Sequence, residues 1–185
     1  METILGIVKK SPNHPRLAQR TTRGLQAPLL RRSDPKARIT RRDIGFVLDE
    51  LEAMDRGGGF LAGAVDLERV GVMGFSKGGA VAGQFCVTHA RCKAGINLTG
   101  FMYGDIADVN LDKPFLFVSK QESWCPDCFV NELFYKRAES DAYLMKIRGA
   151  RHTSFGDPSL WGRLFRLSED GPLATETADT YNASH

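Results

Sequence analysis

Residues 70–83, VGVMGFSKGGAVAG, constrain the fold more than any other part of the chain. An apolar run at 70–73 leads into Gly74-Phe75-Ser76-Lys77-Gly78-Gly79, and small, helix-compatible residues follow. The pattern is that of a strand, a sharp turn with serine at its tip, and a helix. Such a turn puts the serine at positive φ, so that its hydroxyl stands clear of the sheet. Gly74 and Gly78, two places to either side, are expected where a Cβ would clash in so tight a turn. The helix opening at Lys77 aims its first-turn N–H groups and positive dipole end at the serine, where a developing oxyanion would be stabilised. The alternative is a glycine-rich strand–helix turn carrying an incidental serine. The apolar strand before the turn and the small-residue helix after it weigh against that.

Charge and composition narrow the class. The 185 residues suffice for one domain with a sizeable core. The net charge of +3 is unevenly spread: residues 1–43 hold 11 of the 25 Lys/Arg and only 3 of the 22 Asp/Glu. That basic arm lacks interleaved aromatics, and its arginines share no single helical face, so no nucleic-acid partner is expected. Pro12, Pro15, Pro28 and Pro35 punctuate it. Residues 1–39 therefore read as a basic, poorly ordered leader, and residues 40–185 as the domain. No apolar run approaches a membrane span. Lys9, Lys10 and Pro12 interrupt any signal-type apolar core, which makes the expected location cytoplasmic. Four cysteines in a chain this long do not demand a disulfide framework.

Periodicity supplies the remaining elements. Residues 3–8 read as a short strand. Ile44, Val47, Leu48 and Leu51 recur at helical spacing, so a helix is expected over about 40–54, with Thr40 and Asp43 as a capping box and Gly57-Gly58-Gly59 as its end. The serine helix should run over 77–90, with strands at 94–98, 115–118 and 143–147 and a helix at 129–139. Residues 159–167 and 174–183 read as short helices. Strands alternating with helices imply a parallel α/β sheet covered on both faces, a three-layer α/β/α arrangement with ligands at the carboxyl ends of the strands.

Three polar residues fall just past such strand ends: Ser76, Glu122 and His152. A serine hydroxyl needs a base to become a nucleophile, and the base needs a third group to orient it. His152, in the GARHTSF loop, is better placed than His14, His89 or His185. Glu122 is the preferred acid, with Asp105 and Asp108 as rivals. Phe75 is a candidate pocket wall together with Phe101, Tyr103, Trp124 and Phe155, the alternative being core packing, and Lys77 is a candidate for the pocket mouth, the alternative being a snorkelling surface lysine.

Five segments give the chain a resemblance to the α/β-hydrolase superfamily, in its platelet-activating-factor acetylhydrolase-like and dienelactone hydrolase-like esterase branch. They are RRDIGFVLDEL (41–51), VDLERVGVMGFSKGG (65–79), CKAGINLTGFMYGD (92–105), KPFLFVSK (113–120) and RGARHTSFGD (148–157). The resemblance implies a serine-dependent carboxylic ester hydrolase with Ser76 as nucleophile and His152 as base. The backbone N–H of Lys77 would be an oxyanion donor, with no cofactor or metal. A small-molecule ester is the implied substrate, and self-association into a homo-oligomer is left open. The chain departs from the pattern in two ways. In acetylhydrolase-like proteins the acid follows the strand after the serine helix, where this chain has Thr99. The dienelactone hydrolase-like pattern has it one strand later, before a Trp and a Pro, which Glu122-Ser123-Trp124-Cys125-Pro126 resembles. The strands that normally precede the helix at 40, and the loop that supplies a second oxyanion N–H, are not visible in residues 1–39. The domain is therefore expected to be N-terminally incomplete, with an apolar strand edge exposed beside the serine strand.

Two other functions compete. One is a catalytically impaired hydrolase remnant, favoured by the missing oxyanion loop. The other is a thioredoxin-like dithiol protein, because Trp124-Cys125-Pro126-Asp127-Cys128 is a C-x-x-C motif that follows a strand and opens a helix. Nothing upstream forms the rest of a thioredoxin-like domain. A zinc site would need a second ligand pair, and Cys86 and Cys92 sit in and after a buried helix.

Overall fold

The computed structural model describes residues 5–10, 35–104, 106, 109–121 and 126–156. Five strands form one sheet: β1 (Leu5–Lys10), β2 (Val70–Phe75), β3 (Cys92–Leu98), β4 (Phe115–Gln121) and β5 (Ala142–Arg148), in the order β1-β5-β4-β3-β2. β2 to β5 run parallel to one another, and β1 is antiparallel to β5. Parallel neighbours need a crossover rather than a hairpin. Helix α2 (Lys77–Thr88) makes that crossing between β2 and β3, and α3 (Pro126–Arg137) makes it between β4 and β5. Helix α1 (Pro35–Arg56) precedes β2 and packs on α2. This is the mainly parallel α/β fold that the alternation of strands and helices predicts.

β1 overlaps the short strand expected at 3–8 and pairs with β5 along its whole length. Two details of the first helix differ from the expectation. α1 begins at Pro35, a residue type suited to the first helical turn, where its missing N–H is not needed. Thr40 is consequently inside the helix, and its hydroxyl donates to the Lys36 carbonyl at 2.9 Å instead of capping the N-terminus. The helices expected at 159–167 and 174–183 lie outside the described residues.

The core shows which face the helices cover. Phe115, Phe117, Ala142 and Leu144 alternate along β4 and β5 and are buried in one cluster with Leu48 of α1, Phe85 and Cys86 of α2, and Val130 and Phe134 of α3. Burying a side chain such as Phe is worth about 1.5–3 kcal/mol, so these phenylalanines anchor all three helices to a single face. α2 is buried continuously from Gly79 to Cys86, as its all-round apolar sequence requires. The opposite face carries two apolar rows set by the register: Met73, Ile96, Leu116 and Tyr143, then Phe75, Leu98, Val118 and Met145. Among the described residues no strand pairs with the outer edge of β2. Met73 on that strand is 67% exposed, and Phe46 of α1 is 62% exposed. The exposed Met73 agrees with the expectation of an apolar edge beside the serine strand.

The cysteines differ from the expectation too. Cys86 and Cys92, both fully buried, are bonded to each other and tie the end of α2 to the first residue of β3. Cys128 is also disulfide-bonded. Among the described residues no helix is long and apolar enough to cross a membrane.

Candidate active site

The site forms where β2 and β3 end. Ser76, the residue between β2 and α2, takes φ 54° and ψ −121°, so the chain reverses sharply and the side chain leaves the sheet. Its backbone continues the ladder, donating to the Leu98 carbonyl at 2.8 Å. One residue beyond Leu98, the N–H of Thr99 donates to the Val118 carbonyl at 2.8 Å. The sheet's own hydrogen bonds thus set Ser76 and Thr99 side by side at its carboxyl edge.

Close backbone approach explains the glycines. A Cβ on Gly74 would run into the backbone of Gly78 and stand 2.7 Å from the Gly79 nitrogen. At Gly79 it would overlap the Asn97 side-chain oxygen and lie 2.8 Å from the Gly74 carbonyl oxygen. At Gly100 it would meet the Ser76 carbonyl oxygen and lie 2.6 Å from the Ala80 nitrogen. Gly78, expected from the motif to be sterically required, has open space where its Cβ would be. Gly78 crowds Gly74 through its backbone alone, so the glycine that the helix side of the turn requires is Gly79, whose own Cβ would strike the Gly74 carbonyl oxygen.

Beneath the turn lies a residue that sequence reasoning passed over. Asn97 is fully buried in β3; it accepts from the Gly100 N–H at 2.7 Å and donates to the Gly100 carbonyl at 2.9 Å. It thereby closes the 97–100 turn and holds Thr99 at φ 51°, a left-handed conformation unfavourable for a β-branched residue. The available signal was a lone asparagine inside the apolar run of β3, since a buried amide must find partners.

His152 arrives from the far side. β5 ends, Gly149 turns the chain at φ 75°, and a single 3₁₀ turn (His152–Phe155) follows. Ser154 Oγ accepts from the Arg151 N–H at 3.0 Å and fixes that turn. The imidazole bridges the two strand ends: Nε2 lies 2.8 Å from Ser76 Oγ, and Nδ1 lies 2.9 Å from Thr99 Oγ1. Phe75 packs its ring on the imidazole, with centroids 4.9 Å apart and planes tilted by 32°, and so limits the orientations open to the histidine. Lys77 opens α2, and in its first turn the Gly79 N–H donates to the Ser76 carbonyl at 3.0 Å. Glu122, Asp105, Asp108, Trp124 and Cys125 lie outside the described residues.

A sharp serine turn against an imidazole, on the carboxyl edge of a parallel sheet, is the arrangement of α/β-hydrolases. The family model of platelet-activating factor acetylhydrolase, isoform II, matches residues 55–167. The chain belongs to this acetylhydrolase family. The match takes in the serine turn, Asn97, Thr99 and His152. Among solved structures, a ferulic acid esterase from Streptomyces cinnamoneus is similar, with a TM-score of 0.63 and 26% identity over 83% of this chain and 48% of that one. This acetylhydrolase-family chain therefore spans about half the length of that esterase. No curated protein matches it. Neither the family nor the esterase neighbour favours the dithiol or the remnant reading.

Proposed function

We propose that this chain is a serine-dependent carboxylic ester hydrolase acting on a small-molecule ester, with Ser76 as nucleophile and His152 as general base. The observation that carries the reading is the 2.8 Å contact between Ser76 Oγ and His152 Nε2 on a turn at φ 54°. A contact of that length suits proton transfer from hydroxyl to imidazole.

The steps follow from that contact. Ser76 Oγ attacks the ester carbonyl carbon as its proton passes to His152 Nε2. The tetrahedral oxyanion forms at the amino end of α2, where the Lys77 N–H is one donor and the helix dipole favours negative charge. The bond to the alcohol oxygen breaks, that oxygen takes the proton from His152, and an acyl-Ser76 ester remains. Water then attacks the acyl carbon while His152 accepts its proton. Ser76 Oγ leaves, recovers the proton, and the carboxylic acid departs.

Turnover of p-nitrophenyl acetate by the purified chain, beside Ser76→Ala, tests this. A Ser76-dependent rate with an acyl-enzyme burst supports the proposal; equal rates for the two proteins overturn it.

A further inference from the structure

Resting on the reading of Ser76 and His152 as the catalytic pair, we infer that Thr99 is the positioning residue for His152, holding Nδ1 with a neutral hydroxyl where a carboxylate would lock the imidazole. Thr99 Oγ1 lies 2.9 Å from Nδ1, and its residue is 2% exposed. The hydroxyl is held in place: the Thr99 N–H is bonded to the Val118 carbonyl, and Asn97 clamps the next residue from both sides.

The chemistry of a hydroxyl differs from that of a carboxylate in two ways. A carboxylate only accepts, so it forces the proton onto Nδ1 and leaves the Nε2 lone pair for the serine. A hydroxyl both donates and accepts. Two arrangements therefore satisfy the same heavy-atom geometry. In one, Nδ1–H donates to Thr99 and Nε2 accepts from Ser76. In the other, Thr99 donates to Nδ1, and Nε2–H donates to Ser76, which then has no base. The second difference is charge. Once His152 has taken the serine proton, a hydroxyl offers no negative charge to stabilise the imidazolium, as a carboxylate does. Both of the imidazole's hydrogen-bond partners among the described residues are hydroxyls.

The backbone adds an independent argument. At φ 51° a β-branched residue is an outlier, whereas Asp and Asn visit this region several times more readily. Thr99→Asp therefore fits the local conformation better than the native residue does, and places a carboxylate at Nδ1.

The test compares Thr99→Asp, Thr99→Val, Thr99→Ser and Glu122→Gln with the native chain. One readout is kcat/KM for p-nitrophenyl acetate against pH, and the other is the ¹⁵N chemical shifts of the His152 ring. Losing the carboxylate from an intact triad costs about 10⁴ in kcat. Thr99→Asp should accordingly gain between about tenfold and 10⁴-fold, with the acid limb of its pH profile moved to higher pH. Thr99→Val should lose between about threefold and tenfold, the worth of one neutral hydrogen bond, in kcat with KM unchanged. Thr99→Ser should retain the native rate, and Glu122→Gln serves as the comparison that a carboxylate at the site would make costly. The nitrogen shifts of the native ring should be averaged between the two tautomers and become those of the Nδ1–H form in Thr99→Asp. An unchanged rate in Thr99→Val together with a large loss in Glu122→Gln would overturn the inference, as would a native ring found wholly in the Nδ1–H tautomer. The nitrogen shifts do not depend on turnover. A native chain with mixed tautomers but no Ser76-dependent hydrolysis would sink the esterase reading while leaving the role of Thr99 standing. If Thr99→Asp does not fold, the Val and Ser variants decide the matter.

Discussion

Gly78 and Gly79 are adjacent, chemically identical and both in the first turn of α2, yet the structure predicts opposite responses to alanine. At Gly78 an added Cβ meets nothing within 4 Å, and φ lies outside the left-handed region. Gly→Ala at such a site restricts the unfolded chain and should stabilise by about 0.4–1 kcal/mol. At Gly79 the Cβ overlaps Asn97 Oδ1 and sits 2.8 Å from the Gly74 carbonyl oxygen. Neither neighbour can yield easily, since Asn97 is bonded to Gly100 on both sides and Gly74 is backbone of β2. Overpacking of this kind costs about 1–3 kcal/mol, occasionally more. The two variants should therefore differ by about 1.4–4 kcal/mol. At about 2–4 °C per kcal/mol for a chain of this size, thermal midpoints should rise by about 1–4 °C for Gly78→Ala and fall by about 2–12 °C for Gly79→Ala. Urea denaturation followed by far-ultraviolet circular dichroism gives the free energies directly. Gly79→Ala should also lose hydrolysis, because a displaced β2–α2 turn moves Ser76 away from His152. A Gly78→Ala variant destabilised as much as Gly79→Ala would refute the steric account of the turn.

The remaining predictions address what lies beneath the turn and beside it. Asn97→Ala removes the partners of the buried Gly100 N–H and C=O at about 1–3 kcal/mol each, so urea unfolding should show a loss of about 2–6 kcal/mol; under 1 kcal/mol would mean the clamp is unimportant. The Cys86–Cys92 bridge closes a loop of sequence separation 6. By the chain-entropy relation it is worth about 2 kcal/mol, so reductant should lower stability by that much more in the native chain than in Cys86→Ser/Cys92→Ser. Equal losses in the two proteins would assign the bridge no role.

The sheet and the serine turn were legible because both are written in local pattern. Apolar runs such as 115–118 can only be buried strands in this context, and Gly74-Phe75-Ser76 after the apolar start of β2 leaves few conformations. His152 was legible by its place past the last strand. The role of Thr99 was hidden because it depends on a contact between residues 53 apart. A threonine in that place reads as the absence of an acid rather than the presence of a hydroxyl. Gly78 was over-read for the opposite reason: motif spacing gives residue types, while the steric demand falls wherever the backbone passes closest. Asn97 was missed because its partners are backbone groups that any sequence supplies. The Cys86–Cys92 pairing needed the knowledge that the end of α2 and the start of β3 meet, with Cα atoms 4.9 Å apart. Pro35, which composition alone groups with the prolines of the basic leader, is the first residue of α1, a position where proline is favoured.

The central claim is that Ser76 is a nucleophile activated by His152. Covalent labelling with a fluorophosphonate probe, located by peptide mass on the native chain, Ser76→Ala and His152→Ala, tests it most directly. The account predicts one phosphonylated residue, Ser76, in the native chain, no label in Ser76→Ala, and labelling slowed at least a hundredfold in His152→Ala, the minimum expected of a positioned general base. A folded native chain that takes up no probe, or one labelled as fast without His152 as with it, would contradict the claim.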